Sequence, residues 1–199
     1  MSLWGVLLLS VAAAASMFGP VEDGPAPSPA ELDAALGTAG SKNIPEMPTF
    51  SASGLAMPVI GVRAAQIVDT FRAPRAGGAR VHNALDIMAP RGSLVVAAAD
   101  GTVVRLHYSG AGGITAYVRS LDGRWMYYYA HLDSYAPGLA VGQQLSQGDP
   151  IGRVGSTGNA NAAWPHLHFA VHRMREGDRW YQGAPVNPYP LLAANGRRR

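Results

Sequence analysis

No cysteine occurs in the 199 residues, which excludes disulfides and thiolate ligands together, so any metal must be held by His, Asp or Glu. Charged residues are scarce at 15%, yet 48% of the chain is apolar, which excludes a disordered composition. No apolar run approaches the ~20 residues that comfortably cross a bilayer. Leu3–Ala15 comes nearest in character, but it has only 13 residues and is interrupted by Gly5 and Ser10. A convincing amphipathic helix is missing as well, apart from a short candidate at Pro29–Leu36.

What is present suits strands and turns. The 24 Gly and 15 Pro punctuate short apolar runs. Leu94–Ala98 reads as a strand, Asp100-Gly101 as a tight turn and Thr102–Tyr108 as the returning strand. Ile114–Ser120 and Trp125–Leu132 form a second hairpin around Asp122-Gly123. Leu145–Val154 is two extended pieces about Gly148-Asp149-Pro150, and Pro165–Arg173 closes the series. The expected fold is all-β, an antiparallel sheet or sandwich over residues 56–192, with a basic tail at 193–199. Residues 1–17 suit a signal peptide or short anchor: Leu3–Ala15 is a secretory apolar core and Ala12–Ser16 offers small residues for cleavage, although Met1-Ser2 carries no basic side chain. Residues 18–55, rich in Pro, Ala, Gly and Ser, read as a flexible linker or pro-segment.

Charge is unevenly placed. Four acids precede the first base, Lys42, whereas from Ala56 onward fifteen Arg face eight acids. Such a basic body attracts an anionic polymer, nucleic acid or acidic cell wall alike.

The chemistry gathers at histidine. In Pro165-His166-Leu167-His168-Phe169 the apolar residues alternate with the imidazoles, so a strand would send both rings from one face. Two such rings can bind one metal, or one can bind while the other does acid–base work, and a polar solvent-facing strand would have the same pattern. His82 and Asp86 lie four residues apart beside Gly77-Gly78, and His131 ends the run Tyr127-Tyr128-Tyr129-Ala130. Each alone fits ordinary polar positions. His107 and His172 join no motif and read as structural.

In this order the set resembles the lysostaphin-type zinc metallopeptidases of the bacterial cell wall, the LytM or M23 family, across residues 57–192. That family is marked by His-x-Gly-x-Asp, a later His after an aromatic strand, and His-Leu-His-Phe. Here these are His82–Asp86, Tyr129-Ala130-His131-Leu132 and His166–Phe169, with Ala84 where the family commonly has Gly. The resemblance implies a lysostaphin-like duplicated hybrid β-fold with a substrate groove. It implies one Zn²⁺ per chain on His82, Asp86 and His168, with His131 and His166 as a non-ligating catalytic pair. Three protein ligands that leave one position for water are what catalytic zinc requires, so the chemistry agrees. The tyrosines of the 127–129 run alternate, so at least one should enter the core and one line the groove. The expected substrate contacts are Tyr127, Tyr129 and Asn159, with Asn161 nearby.

The implied function is an exported zinc endopeptidase of the periplasm or cell envelope, monomeric, with peptidoglycan peptide cross-links as substrate and no nucleic-acid partner. The alternative is a non-catalytic peptidoglycan-binding activator of other wall hydrolases, but such relatives lose metal ligands and all five positions are filled here. A histidine phosphocarrier ranks last, since phosphotransfer does not need Asp86. Pentaglycine bridges and direct D-alanyl–diaminopimelate links both remain open as substrates.

Overall fold

The structure, a computed structural model, describes residues 54–193. The chain divides into two compact units, Met1–Ser41 and Lys42–Arg199, and the described residues all fall in the second. The leader expected at 1–17, nearly all of the linker expected at 18–55, the helix at 29–36 and the tail from 194 lie outside them.

Eleven strands carry the described fold: β1 Pro74–Arg75, β2 Arg80–Val81, β3 Leu85–Met88, β4 Leu94–Val96, β5 Gly101–Ser109, β6 Gly113–Ser120, β7 Trp125–Tyr135, β8 Gln144–Leu145, β9 Pro150–Val154, β10 His166–Arg173 and β11 Ala184–Val186. A five-residue α-helix, α1 Tyr189–Ala193, follows the last strand. All pairings are antiparallel. β1 and β2 form a small hairpin of their own, and the other nine strands share one sheet with a central order β11-β10-β7-β6-β5-β8.

β10 is the strand on which the site depends. Leu167, Phe169 and Val171 are almost wholly buried, while His166, His168 and His172 are only half-buried on the opposite face. This is the period-two pattern of a strand with one face in the core. One edge pairs with β7 and the other with β3 and then β11. Beneath it the core runs through Leu85, Ile87, Val95, Val103, Val118, Tyr129, Leu132 and Ile151. Leu55, at the end of the expected linker, already packs into that core.

One expected hairpin is absent. β4 pairs with β9 rather than β5, with Leu94 opposite Arg153. The stretch between β4 and β5 finds its partners elsewhere: the Ala97 N–H donates to Asp149, the Ala98 N–H to the Tyr129 hydroxyl, and the Ala56 N–H to the Ala98 carbonyl. Gly101 is the first residue of β5, where any Cβ would sit 2.5 Å from the Arg119 carbonyl oxygen. Close strand approach, not a tight turn, calls for glycine there. The β6–β7 hairpin forms as the sequence suggests, closed by the Gly123 N–H on the Ser120 carbonyl.

Candidate metal centre

Register brings the site together. In the β3–β10 ladder His168 lies opposite Asp86, and in the β7–β10 ladder it lies opposite Ala130, the neighbour of His131. Residues directly opposite share a face, so Asp86 and His168 leave the sheet together. His82 arrives from the loop before β3, where Asn83 takes the left-handed conformation (φ 57°). Residues 70–73 hold that loop: the His82 N–H donates to Ala73, the Asn83 N–H to Phe71, and the Thr70 hydroxyl accepts the Asp86 N–H at 3.0 Å. Ala84 is fully buried and is not among the residues of positive φ, so a methyl group is accommodated there.

Three ligand atoms converge. His82 Nε2 lies 3.0 Å from Asp86 Oδ1 and 3.0 Å from His168 Nδ1, and that Nδ1 lies 3.2 Å from Oδ1. A tetrahedral ion ~2.0–2.2 Å from each donor would set them ~3.3 Å apart, close to what the triangle already provides. The donor set is the nitrogen-and-oxygen kind that suits zinc. The Nδ1 of His82 donates to the Thr70 carbonyl at 2.9 Å, which fixes its tautomer and turns Nε2 inward. The other Asp86 oxygen is held by Arg75. Burial alone would raise the Asp86 pKa, but hydrogen bonds and charge from His168 and His82 hold it well below the usual carboxylate range.

His131 and His166 stand beside this triangle. Their rings are 5.1 Å apart, and His131 is 5.6 Å from His168. His166 Nε2 is 3.7 Å from Asp86 Oδ1, farther than either nitrogen of the triangle. Each ring donates Nδ1–H to a carbonyl: His131 to Thr157 and His166 to Trp164, both at 2.8 Å. Each therefore turns its Nε2 away from that carbonyl. Burial lowers the His131 pKa to about 4, so the ring is neutral at pH 7 and Nε2 carries a lone pair.

His131 reaches the groove through a break in the pleat. Its φ is +58°, at the point where β7 leaves β10 after Ala130 and takes up β9 at Leu132. A regular strand would send it inward alongside Tyr129. The Gly112 carbonyl accepts its N–H at 2.8 Å, and Thr157 Oγ1 bridges the Leu132 carbonyl and the Ile114 N–H. The glycine-rich turn before β6 and the Ser156-Thr157-Gly158 loop thus clamp this histidine.

A groove of about 340 Å³ is lined by Arg75, Arg80 and Asn159, together with Asn161 and all five site residues. Asn159 is thus among the lining residues. Tyr127 and Tyr129 are not: Tyr127 is 5% exposed and Tyr129 0%, opposite Val171 and Phe169 respectively in the core ladder. Tyr128 takes the groove face instead, with its ring 5.9 Å from His168 and 4.5 Å from Tyr117. His172 keeps to the same face of β10, and His107 lies 5.9 Å from Trp180, away from the triangle.

Arg75, Arg80 and Thr70 escaped the sequence reading because no motif names them. A signal did exist for the arginines: they flank Gly77-Gly78 symmetrically, and a turn there sets them opposite each other.

The profile of peptidase family M23 matches residues 80–188, more than half of the chain. The chain belongs to that family. The M23 domain is 32% identical over 123 residues to the L-Ala–D-Glu endopeptidase of Bacillus subtilis, covering 59% of this chain and 36% of that protein. It is 32% identical over 96 residues to the peptidoglycan DD-endopeptidase ShyC of Vibrio cholerae, covering 48% of this chain and 21% of that one. The chain thus spans about a third or less of these relatives. Among solved structures, the catalytic domain of the antimicrobial peptidase lysostaphin from Staphylococcus simulans matches at TM-score 0.53 and 28% identity, over 64% of this chain and 90% of that one. The antiparallel β architecture is therefore the lysostaphin-like one.

Proposed function

We propose that this M23 domain is a zinc endopeptidase that hydrolyses peptide cross-links of peptidoglycan, with one zinc per chain on His82, Asp86 and His168. The observation that carries the reading is the 3.0–3.2 Å triangle of His82 Nε2, Asp86 Oδ1 and His168 Nδ1, flanked by two further imidazoles. Relatives whose names specify peptidoglycan or L-Ala–D-Glu endopeptidase activity support the substrate class.

When bound, zinc supplies a Lewis acid and lowers the pKa of a water it holds. The remaining work belongs to the chain. His131 Nε2, neutral at pH 7, accepts a proton from the attacking water. His166, its Nδ1–H fixed on Trp164, turns Nε2 to the groove and orients the attacking water by accepting its hydrogen bond, and the proton that His131 takes is returned to the leaving amine. Arg75 holds the second Asp86 oxygen so that the first faces the histidines. The non-catalytic alternative gains no support, since every group the chemistry needs is present and turned to one groove.

Export to the periplasm or envelope through residues 1–17, a spacer over 18–55 and a monomeric state complete the proposal. The test is metal content with product analysis. Purified protein should hold about one zinc, and His82→Ala, Asp86→Ala and His168→Ala should each lose it, since loss even of outer-shell partners costs ~10–100-fold in affinity. Mass spectrometry of digests of defined peptidoglycans should show new peptide ends with wild-type protein only. Full zinc retention in all three variants would reject the ligand set, and intact cross-links with zinc bound would reject the reaction.

A further inference from the structure

The β1–β2 hairpin brings a second kind of chemistry to the groove. Its register sets Arg75 directly opposite Arg80, with Pro74 opposite Val81, around a turn in which Gly77 and Gly78 both have positive φ (66° and 95°). Directly opposed residues share a face, and like charges so placed repel. Both arginines nonetheless line the groove, beside His82, Asp86, His166 and His168.

Anionic partners are short there. Asp86 is the only acid among the lining residues. Its Oδ1 is shared by His82 and His168, and its Oδ2 is taken by one nitrogen of Arg75. The Arg80 side chain is exposed and makes no hydrogen bond or ion pair among the described residues. The Arg75 side chain is 39% exposed, so donors remain on it beyond the one that meets Asp86. Two guanidinium forks, one wholly uncommitted, face a groove that holds a single, already shared carboxylate. A carboxylate brought by the substrate is the group whose geometry matches such a fork bidentately.

We propose that Arg75 and Arg80 form a carboxylate-binding subsite, which makes the M23 domain selective for cross-links carrying a free carboxylate beside the scissile amide over neutral glycyl bridges. The inference rests on the endopeptidase reading and narrows its substrate. In a direct D-alanyl–diaminopimelate link, the carbon that bears the acylated amine also bears a carboxyl group. The interior of a glycine bridge offers none. Arg75 anchors the hairpin to the metal ligand while Arg80 supplies the free fork, so the anion is held within reach of the reacting bond.

The test uses a matched pair of probes: a D-alanyl–diaminopimelate peptide with its amine-side carboxyl free, and the same peptide amidated there. Binding is measured by calorimetry on the full chain after zinc removal, and hydrolysis separately on the zinc-loaded protein. Charge-assisted bidentate hydrogen bonds predict about tenfold tighter binding of the free carboxylate, carried into KM rather than kcat. Arg80→Gln should reduce that ratio to about one, while Arg80→Lys should keep a part of it. Equal binding of the two probes by wild-type protein, or an undiminished ratio in Arg80→Gln, overturns the subsite. Absence of hydrolysis with both probes overturns the endopeptidase reading instead, and the calorimetric ratio still decides the subsite.

Discussion

The five imidazole and carboxylate side chains of the groove divide by how each nitrogen or oxygen is committed. His82 and His168 turn nitrogens onto one Asp86 oxygen at 3.0 and 3.2 Å, whereas His166 Nε2 stays at 3.7 Å. His131 has its Nδ1 fixed on Thr157 and makes no hydrogen bond or ion pair with Asp86 among the described residues. Binding and proton handling should therefore separate experimentally. His131→Ala and His166→Ala are expected to retain zinc and lose turnover by ~10²–10⁴, the usual effect of removing acid–base or oxyanion assistance. Zinc content beside steady-state rates makes the check. Loss of zinc in either variant would move that residue into the ligand set, and a near-normal rate would remove it from the chemistry.

At the level of elements, the site is a product of register and of two departures from regular backbone. The β10 alternation was legible because Leu167, Phe169 and Val171 alternate with His166, His168 and His172, broken only by Ala170, and the same alternation fixes which face meets Asp86 on β3. The parity of β7 was not legible. Three adjacent tyrosines are equally acceptable inside and out, and only the pairing of Phe169 with Tyr129 sends Tyr127 and Tyr129 to the core and Tyr128 to the face that carries His168. His131 was found by its motif, yet its orientation comes from a left-handed residue that no periodicity announces. The β4–β9 pairing was hidden for a related reason, since Asp100-Gly101 looks like a turn whether or not the strands beside it pair. The clamp on His131 gives a prediction at this scale. Gly113 has φ +64°, and a Cβ there would overlap Thr157 Oγ1 and lie 2.6 Å from the Gly158 nitrogen. Gly113→Ala should lower stability by about 1–3 kcal/mol through backbone strain and displacement of the 157–158 loop. Because the ligands sit on β3, β10 and the loop before β3, zinc should be retained while turnover falls. Thermal unfolding, metal analysis and rate together test this, and an unchanged rate in a destabilised variant would show that the loop does not position His131.

Across the whole molecule, buried histidine couples the fold to pH. Burial lowers the pKa of His131 to about 4, and burial likewise lowers that of His172, which lies outside the ligand triangle. The sign follows from linkage. Above pH ~6.5 both histidines are neutral folded and unfolded, so they add no pH dependence. As pH falls below that value the unfolded chain takes up protons that the folded chain refuses, and stability drops until the folded pKa is reached. Asp86 acts in a lower window, because its depressed pKa adds stability above the ordinary carboxylate value of 3.8 and loses it only below. His131 alone should cost about 2 kcal/mol on going from pH 7.5 to 5, from 1.36 kcal/mol per unit over the interval below 6.5. For a domain of this size that corresponds to a fall in Tm on the order of 5–10 °C. Replacing His131 with Leu removes one titrating group without adding a polar one, so the Tm of His131→Leu should vary less between pH 7.5 and 5 than that of wild type. Thermal unfolding across that range makes the comparison. A wild-type Tm independent of pH, or a slope undiminished in His131→Leu, would mean that the buried neutral imidazole is not what ties stability to acid.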